Sequence, residues 1–302
     1  MKSDLERTAH KSLRKKIWPL RLRAELLYAT LNKSIPAAHP DFLCIGAPRT
    51  GTTWLYQTLS QHPDIYLPRR KELHYFDEPI IENRHGNLQD INSCPNGMYF
   101  DMHNPAHWRW YQLQFVRSGG RVTGDITPAY SRISEAQIKM LTDRMSNIKV
   151  IYMMRDPVER AWSGVRKFAM ETLGLKISDA PINEIVDFTM YPRRLMSGDY
   201  RSVINKWESN IESSRILYLF YDDLLKNPQQ LANTVCKFLE LDPFQQSDSE
   251  QMSKRVNKAE QIDEMPASIR DMLRDYYKGQ GLNISIYTRS TPRDPNTLIE
   301  ET

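Results

Sequence analysis

Phe42-Leu43-Cys44-Ile45, then Gly46-Ala47-Pro48-Arg49-Thr50-Gly51, then Thr52 to Gln61 before His62-Pro63: an apolar run, a turn with two glycines and a helical stretch follow one another directly. The apolar run reads as a buried strand, and the stretch from Thr52 as a helix stopped by His62-Pro63. Glycines at both ends of the turn permit a tight bend, its backbone amides can face an anion, and the helix amino terminus adds partial positive charge. An ordinary strand-to-helix turn also tolerates Gly and Thr. It does not account for one Arg, three Thr and two Gly within Gly46 to Thr53.

The same order recurs downstream. Lys149-Val150-Ile151-Tyr152-Met153-Met154 predicts a second strand, with Asp156-Pro157 capping a helix through Met170. Ile216 to Phe220 predicts a third, and Asn227-Pro228 opens a helix to Leu239. Strand followed by helix, repeated, predicts an α/β fold: a central parallel sheet flanked by helices in three layers, P-loop-like, with binding loops at the carboxyl ends of the strands. Arg155 leaves the second strand at such an end, and Ser163 lies eight residues on, two turns into the following helix, so both could grip one phosphate. An N-capped helix with a surface Arg is the plainer alternative. Two anion sites on neighbouring strand ends point to a ligand bearing two separated phosphates.

The turn is not a Walker A loop. Thr52 stands where the Lys for β- and γ-phosphates belongs, and the basic residue has moved back to Arg49. A triphosphate with its magnesium loses its main contacts, whereas a smaller anionic group without a metal fits. No G-x-G-x-x-G run follows a strand, which argues against a dinucleotide hydride carrier. His103 and His107 are four apart, but Pro105 interrupts them and no other ligand cluster is near, so no metal site is expected.

The 302 residues suffice for one large α/β domain, and 40% hydrophobic against 26% charged residues excludes a disordered or collagen-like chain. The net charge of +4 is unevenly spread: residues 1–23 hold eight basic side chains against Asp4 and Glu6, leaving 33 basic and 35 acidic residues for the remainder. The charge therefore belongs to an arm, and nucleic acid is not an expected partner. Three cysteines without regular spacing (Cys44, Cys94, Cys236) argue against a disulfide scaffold and fit a reducing, cytoplasmic location. No apolar run approaches the roughly 18 residues of a membrane span. The arm carries an amphipathic helical pattern (Leu20, Leu22, Leu26, Leu27, Leu31) that predicts packing on the domain, with peripheral membrane contact as its alternative. Expected boundaries are a helical extension over 1–40, one domain over 41–285 and a tail over 286–302. Within the domain, residues 79–118 read as an insertion carrying helices, 199–211 as a helix, 245–266 as a polar loop, and 267–277 as a last helix. Oligomeric state is not legible.

The two anion loops, together with Lys71-Glu72-Leu73-His74-Tyr75-Phe76, Gly124-Asp125-Ile126-Thr127-Pro128-Ala129-Tyr130 and Gly198-Asp199-Tyr200 with Trp207, resemble the sulfotransferases that use 3′-phosphoadenosine 5′-phosphosulfate. The resemblance covers roughly Asp41 to Lys278 and looks closest to bacterial enzymes related to the glycosaminoglycan branch. It implies a sulfuryl donor as co-substrate, an acceptor hydroxyl or amine on a glycan or small molecule, and no metal.

Residue by residue, the resemblance implies that Arg49 touches the 5′-phosphate and the bridging oxygen, with Thr50, Gly51, Thr52 and Thr53 supplying amides and hydroxyls beside it. Trp54 matches a residue that stacks on adenine; a core tryptophan is the equal alternative. Arg155 and Ser163 match the 3′-phosphate binders, and Lys254 and Arg255, with Lys258, a basic loop over the nucleotide, although a solvated charge run explains those three as well. Glu72 matches the catalytic base, and a surface Glu paired with Arg69, Arg70 or Lys71 is its rival. His74 shares a face with Glu72 in an extended segment, as partner, second base or structural residue. Ile126 replaces the Lys, and Asp125 the Glu, that glycosaminoglycan enzymes carry, which weakens the expectation of a highly sulfated acceptor. His85, Trp108, Trp110, Tyr111 and Tyr200 are candidates for an acceptor cleft. A P-loop nucleotide kinase and a nucleotide-binding protein without catalysis are the competing classes.

Overall fold

The computed structural model describes residues 20–77, 100–170, 174–245, 252 and 264–280. His85, Lys254, Arg255, Lys258, most of the basic arm and the expected tail lie outside the described residues. In chain order the helices and strands are α1 (residues 20–31), β1 (Phe42–Gly46), α2 (Thr52–Leu59), β2 (Ile65–Tyr66), α3 (Pro105–Leu113), β3 (Val122–Ile126), α4 (Glu135–Arg144), β4 (Lys149–Met154), α5 (Pro157–Phe168), α6 (Ile182–Thr189), α7 (Pro192–Met196), α8 (Tyr200–Glu208), β5 (Ile216–Phe220), α9 (Tyr221–Lys226), α10 (Pro228–Phe238) and α11 (Ala267–Gly279). They fall into two compact units, one built from residues 1–39 and 73–120, the other from 40–72 and 121–302.

The second unit contains a five-stranded sheet in the order β2-β3-β1-β4-β5, parallel throughout. β1 lies at its centre, with Phe42 opposite Gly124 of β3 on one side and Lys149 of β4 on the other. All five β1 residues are buried, as expected of a parallel strand covered on both faces. Phe42, Cys44, Ile151, Met153 and Leu219 pack in one cluster with Trp54, Leu55 and Leu59 of α2 and Leu231, Val235 and Cys236 of α10. Each fully buried large aliphatic or aromatic side chain of that kind contributes about 1.5–3 kcal/mol before conformational entropy is charged against it. On the other face Tyr152 meets Tyr200 of α8 edge-on, their centroids 6.0 Å apart.

Side-chain caps fix where the flanking helices begin. Asp156 accepts from the Val158 and Glu159 N–H groups at 2.8 and 2.9 Å, and Pro157 occupies the first position of α5. Asn227 does the same for α10 through Gln230 N–H at 3.0 Å, again followed by Pro. Ser134 and Gln137 form a reciprocal capping box on α4.

The unit comprising 1–39 and 73–120 is held by aromatic stacking. Tyr75 stacks on Tyr111 at 4.7 Å and Phe100 on Trp110 at 4.3 Å. Trp110 Nε1 donates to Glu25 on α1 at 2.9 Å, and Arg109 donates to the Asn32 carbonyl at 3.0 Å just beyond that helix. The aromatic residues of 100–115 are therefore the core that α1 covers. Trp110 and Tyr111 are 1% and 0% exposed, so these two expected acceptor contacts are spent on packing.

One strand carries no strand-like pattern: β3 is Val-Thr-Gly-Asp-Ile. Gly124 is required by contact, since a Cβ there would lie 2.2 Å from the Phe42 ring. Gly124→Ala is expected to lower the urea unfolding midpoint, by about 1–3 kcal/mol in stability, because the buried ring has to shift. A paired Phe42→Leu substitution should recover part of that loss; equal stability of the single variant and the parent would contradict the tight contact.

Candidate active site

The carboxyl ends of β1 and β4 each feed a short loop into a helix, β5 passes directly into α9, and cationic, hydroxyl and aromatic side chains from these ends meet. From β1 the chain enters Ala47, whose N–H donates to the Met153 carbonyl of β4 at 2.7 Å, so the loop starts pinned to the neighbouring strand. Thr50 is fully buried and its hydroxyl donates to the Ala47 carbonyl at 2.6 Å, which closes the turn from inside. Gly51 has φ +92°, a conformation that costs glycine little. It caps α2 without a side-chain hydrogen bond to the first-turn amides. Helix-end donors of that kind suit an external anion. Thr52 is buried and Thr53 exposed, so only the second hydroxyl of the pair faces outward.

Arg49 is held with φ +72°, a left-handed conformation that costs a non-glycine about 1–2 kcal/mol. Its Nε donates to Ser163 Oγ of α5 at 3.1 Å. Ser163 is 4% exposed. The serine expected to act with Arg155 thus accepts from Arg49, and this one bond ties the first loop to the helix of the second.

Arg155 follows β4 directly. Its guanidinium lies over the Tyr221 ring at 4.3 Å, which ties the end of β4 to the end of β5. Its peptide is gripped from one side by a single phenol: Tyr200 Oη donates to the Arg155 carbonyl at 2.6 Å and accepts from the Arg155 N–H at 3.3 Å. Tyr200 is fully buried, and burial drives its ionisation well above the usual tyrosine range. It works as a positioning residue for Arg155 and cannot face an acceptor. Burial also pushes the Asp156 carboxyl up, against the two N–H groups that hold it, and that of Asp222 up against Lys226 and Arg155. Below them Arg160 is 4% exposed and donates to the Arg194 carbonyl at 2.8 Å and to Tyr277 Oη at 3.2 Å.

Trp54 is 5% exposed, belongs to the core cluster under the sheet, and donates through Nε1 to the Met252 carbonyl at 3.2 Å. Asp125, at the end of β3, is buried and accepts from Thr127 Oγ1 at 2.7 Å and Tyr130 Oη at 2.8 Å. Glu72 is partly exposed, has φ +64° and pairs with Lys71. His74, with φ +54°, belongs to the other unit, where its Nδ1 lies 2.8 Å from Asp77 Oδ2. Burial raises the Cys44 thiol to about 12 and that of Cys236 to about 11, so neither is a thiolate near neutral pH. No sequence pattern marks Tyr221 or the clamp made by Tyr200; the position of Tyr221 directly after a parallel strand is the signal that points to the former.

The family model of the sulfotransferase domain matches residues 39–276 of the chain. The chain belongs to the sulfotransferase domain family. Human carbohydrate sulfotransferase 15 is 24% identical over 291 residues, covering 79% of the chain and 51% of the human protein. The bifunctional heparan sulfate N-deacetylase/N-sulfotransferase 1 of Caenorhabditis elegans is 22% identical over 211 residues, 68% of the chain and 22% of the nematode protein. This sulfotransferase domain thus spans about half the length of the human relative. A solved sulfotransferase from Alicyclobacillus acidocaldarius shares the fold with a TM-score of 0.60 and 23% identity, over 83% of this chain and 96% of that one.

Tyr200→Phe preserves the ring and removes both hydrogen bonds to the Arg155 peptide. A stability loss of about 1–3 kcal/mol in urea unfolding is expected from those orphaned groups. Tyr218→Phe, which removes a phenol bonded to Glu208 at the sheet edge, serves as the reference, and an equal loss in both would deny the clamp its special role.

Proposed function

We propose that the protein transfers a sulfuryl group from 3′-phosphoadenosine 5′-phosphosulfate to a hydroxyl or amine of a carbohydrate or small-metabolite acceptor, with Glu72 as general base. The observation that carries this reading is the bond from Arg49 to Ser163, which draws together two anion-binding strand ends for a ligand with two separated phosphates. The donor set fits such a ligand: the uncapped amino terminus of α2 and Arg49 for the 5′-phosphate, Arg155 and Ser163 for the 3′-phosphate. Tyr221, already stacked on Arg155, adds an aromatic face beside the second site.

Transfer breaks the bond between sulfur and the bridging oxygen of the donor and forms a bond from sulfur to the acceptor oxygen or nitrogen. The acceptor proton goes to the Glu72 carboxylate, and negative charge develops on the leaving 5′-phosphate. A guanidinium at Arg49 stabilises that charge more in the transition state than in the bound donor, which is what raises kcat. Glu72 pairs with Lys71, which holds the carboxylate against a cation. Cytoplasmic residence is part of the proposal and is supported by the free thiols of Cys44 and Cys236. Among the described residues no helix is long and apolar enough to cross a membrane.

Glu72→Gln is expected to bind adenosine 3′,5′-bisphosphate within a few-fold of the parent by calorimetry, while kcat falls about 10²- to 10⁴-fold in a sulfate-transfer assay over a panel of glycans, lipids and phenols. Undiminished turnover would remove Glu72 from the role of base. Arg155→Met should weaken binding of the bisphosphate at least about tenfold and leave adenosine 5′-phosphate nearly unaffected, because one charge-assisted contact is lost only where a 3′-phosphate is present. Equal losses for both nucleotides would assign Arg155 elsewhere.

A further inference from the structure

Helix α1 presents an apolar stripe to solvent. Leu20, Leu27, Tyr28 and Leu31 are 68%, 60%, 54% and 73% exposed, and Ala24 is exposed between them. At 3.6 residues per turn these five side chains fall within an arc of about 100°. The opposite face is the one that packs, through Leu22 and Ala29, both buried, and Glu25, bonded to Trp110. The helix therefore has two apolar faces, of which the covered one holds the unit together. Exposed leucines in such a row are unusual for a helix on a soluble surface, where scattered single apolar residues are the rule.

The charges are arranged around the stripe. Arg21 and Arg23, both exposed, lie on its two sides at helical spacing, and Arg21 is 67% exposed while bonded to Glu25 within the same turn. Six further basic residues and two acidic ones precede them in the sequence. A leucine row flanked on both sides by arginines matches a bilayer interface, in which apolar side chains enter the acyl boundary and guanidinium groups reach back to phosphate. Positive charge on the same segment selects anionic lipid.

We infer that α1 docks the protein on anionic lipid bilayers, with Leu20, Leu27, Tyr28 and Leu31 inserted at the headgroup level and Arg21 and Arg23 on lipid phosphates. This surface is independent of the donor site, so it stands or falls apart from the proposed chemistry. It places the enzyme peripherally on the bilayer through one helix face.

The test is sedimentation of the full chain with vesicles of phosphatidylcholine alone and of phosphatidylcholine with about 30% phosphatidylserine, at about 0.1 M and 0.5 M salt. Binding is expected to the anionic vesicles only and to fall at least about tenfold at the higher salt. Leu27→Gln with Leu31→Gln, and separately Arg21→Gln with Arg23→Gln, should each weaken partitioning at least about tenfold with unchanged helical circular dichroism; Gln keeps helix propensity, so loss of fold does not explain the result. Absence of binding to anionic vesicles overturns the inference, as does equal binding by both double variants and the parent. So does a dimer in sedimentation velocity that Leu27→Gln with Leu31→Gln dissociates while the parent ignores vesicles, since the stripe would then meet a second copy of the chain.

Discussion

The central strand β1 sits between β3 and β4 with every residue buried, and that burial constrains the rest of the candidate site. A parallel strand cannot return by a hairpin, so each of β1, β4 and β5 leaves the sheet at the same edge and passes into a helix. These strand exits are consequently neighbours, and what they carry must be compatible in a partly desolvated place. Neutral and aromatic groups are among the contacts there: Ser163 with Arg49, Tyr221 with Arg155, and Tyr200 with the Arg155 backbone. The guanidinium of Arg155 rests on the Tyr221 face, which orients the cation, and its charge also acts on the neighbouring carboxyls of Asp156 and Asp222.

The strands with continuous apolar runs and the helices opened by Asp-Pro or Asn-Pro are legible in the sequence because each follows from one local cause. β3 is not, because its two unusual residues answer to distant partners: Gly124 to the Phe42 ring, Asp125 to the hydroxyls of Thr127 and Tyr130. The same limit applies to the aromatic residues. Trp110 and Tyr111, in a weakly periodic stretch, and Tyr200, on the apolar face of the 199–211 helix, all read as candidate cleft residues, yet packing buries all three. Nothing local reveals that Glu25, some 85 residues earlier, receives the Trp110 N–H. That contact is one of those within the unit built from residues 1–39 and 73–120, where the sequence suggests a separate arm and insertion. Trp54 illustrates the opposite case: the sequence allows adenine stacking or core packing, and its burial in one cluster with Leu55 and Leu59, with the indole N–H on Met252, favours the core.

Backbone strain gives a reading of the site that side-chain chemistry does not use. Among the described residues four non-glycines have positive φ: Arg49, Glu72, His74 and Glu240. Glu240 has a local reason, since it follows the last residues of α10, where a left-handed residue commonly ends a helix, and it bonds Lys149 at 2.6 Å. The other three follow no helix end. Each costs about 1–2 kcal/mol that an Asn or Gly would largely avoid, so the fold spends stability to keep Arg, Glu and His at those positions. For Arg49 the compensation is visible in the buried Thr50 hydroxyl and the Ser163 bond, which fix the loop on both sides of the strained residue. Strain retained under such over-determination favours a preorganised side chain over a mobile one, and electrostatic stabilisation of a leaving phosphate depends on that preorganisation, because a cation already in place pays no reorganisation when charge develops.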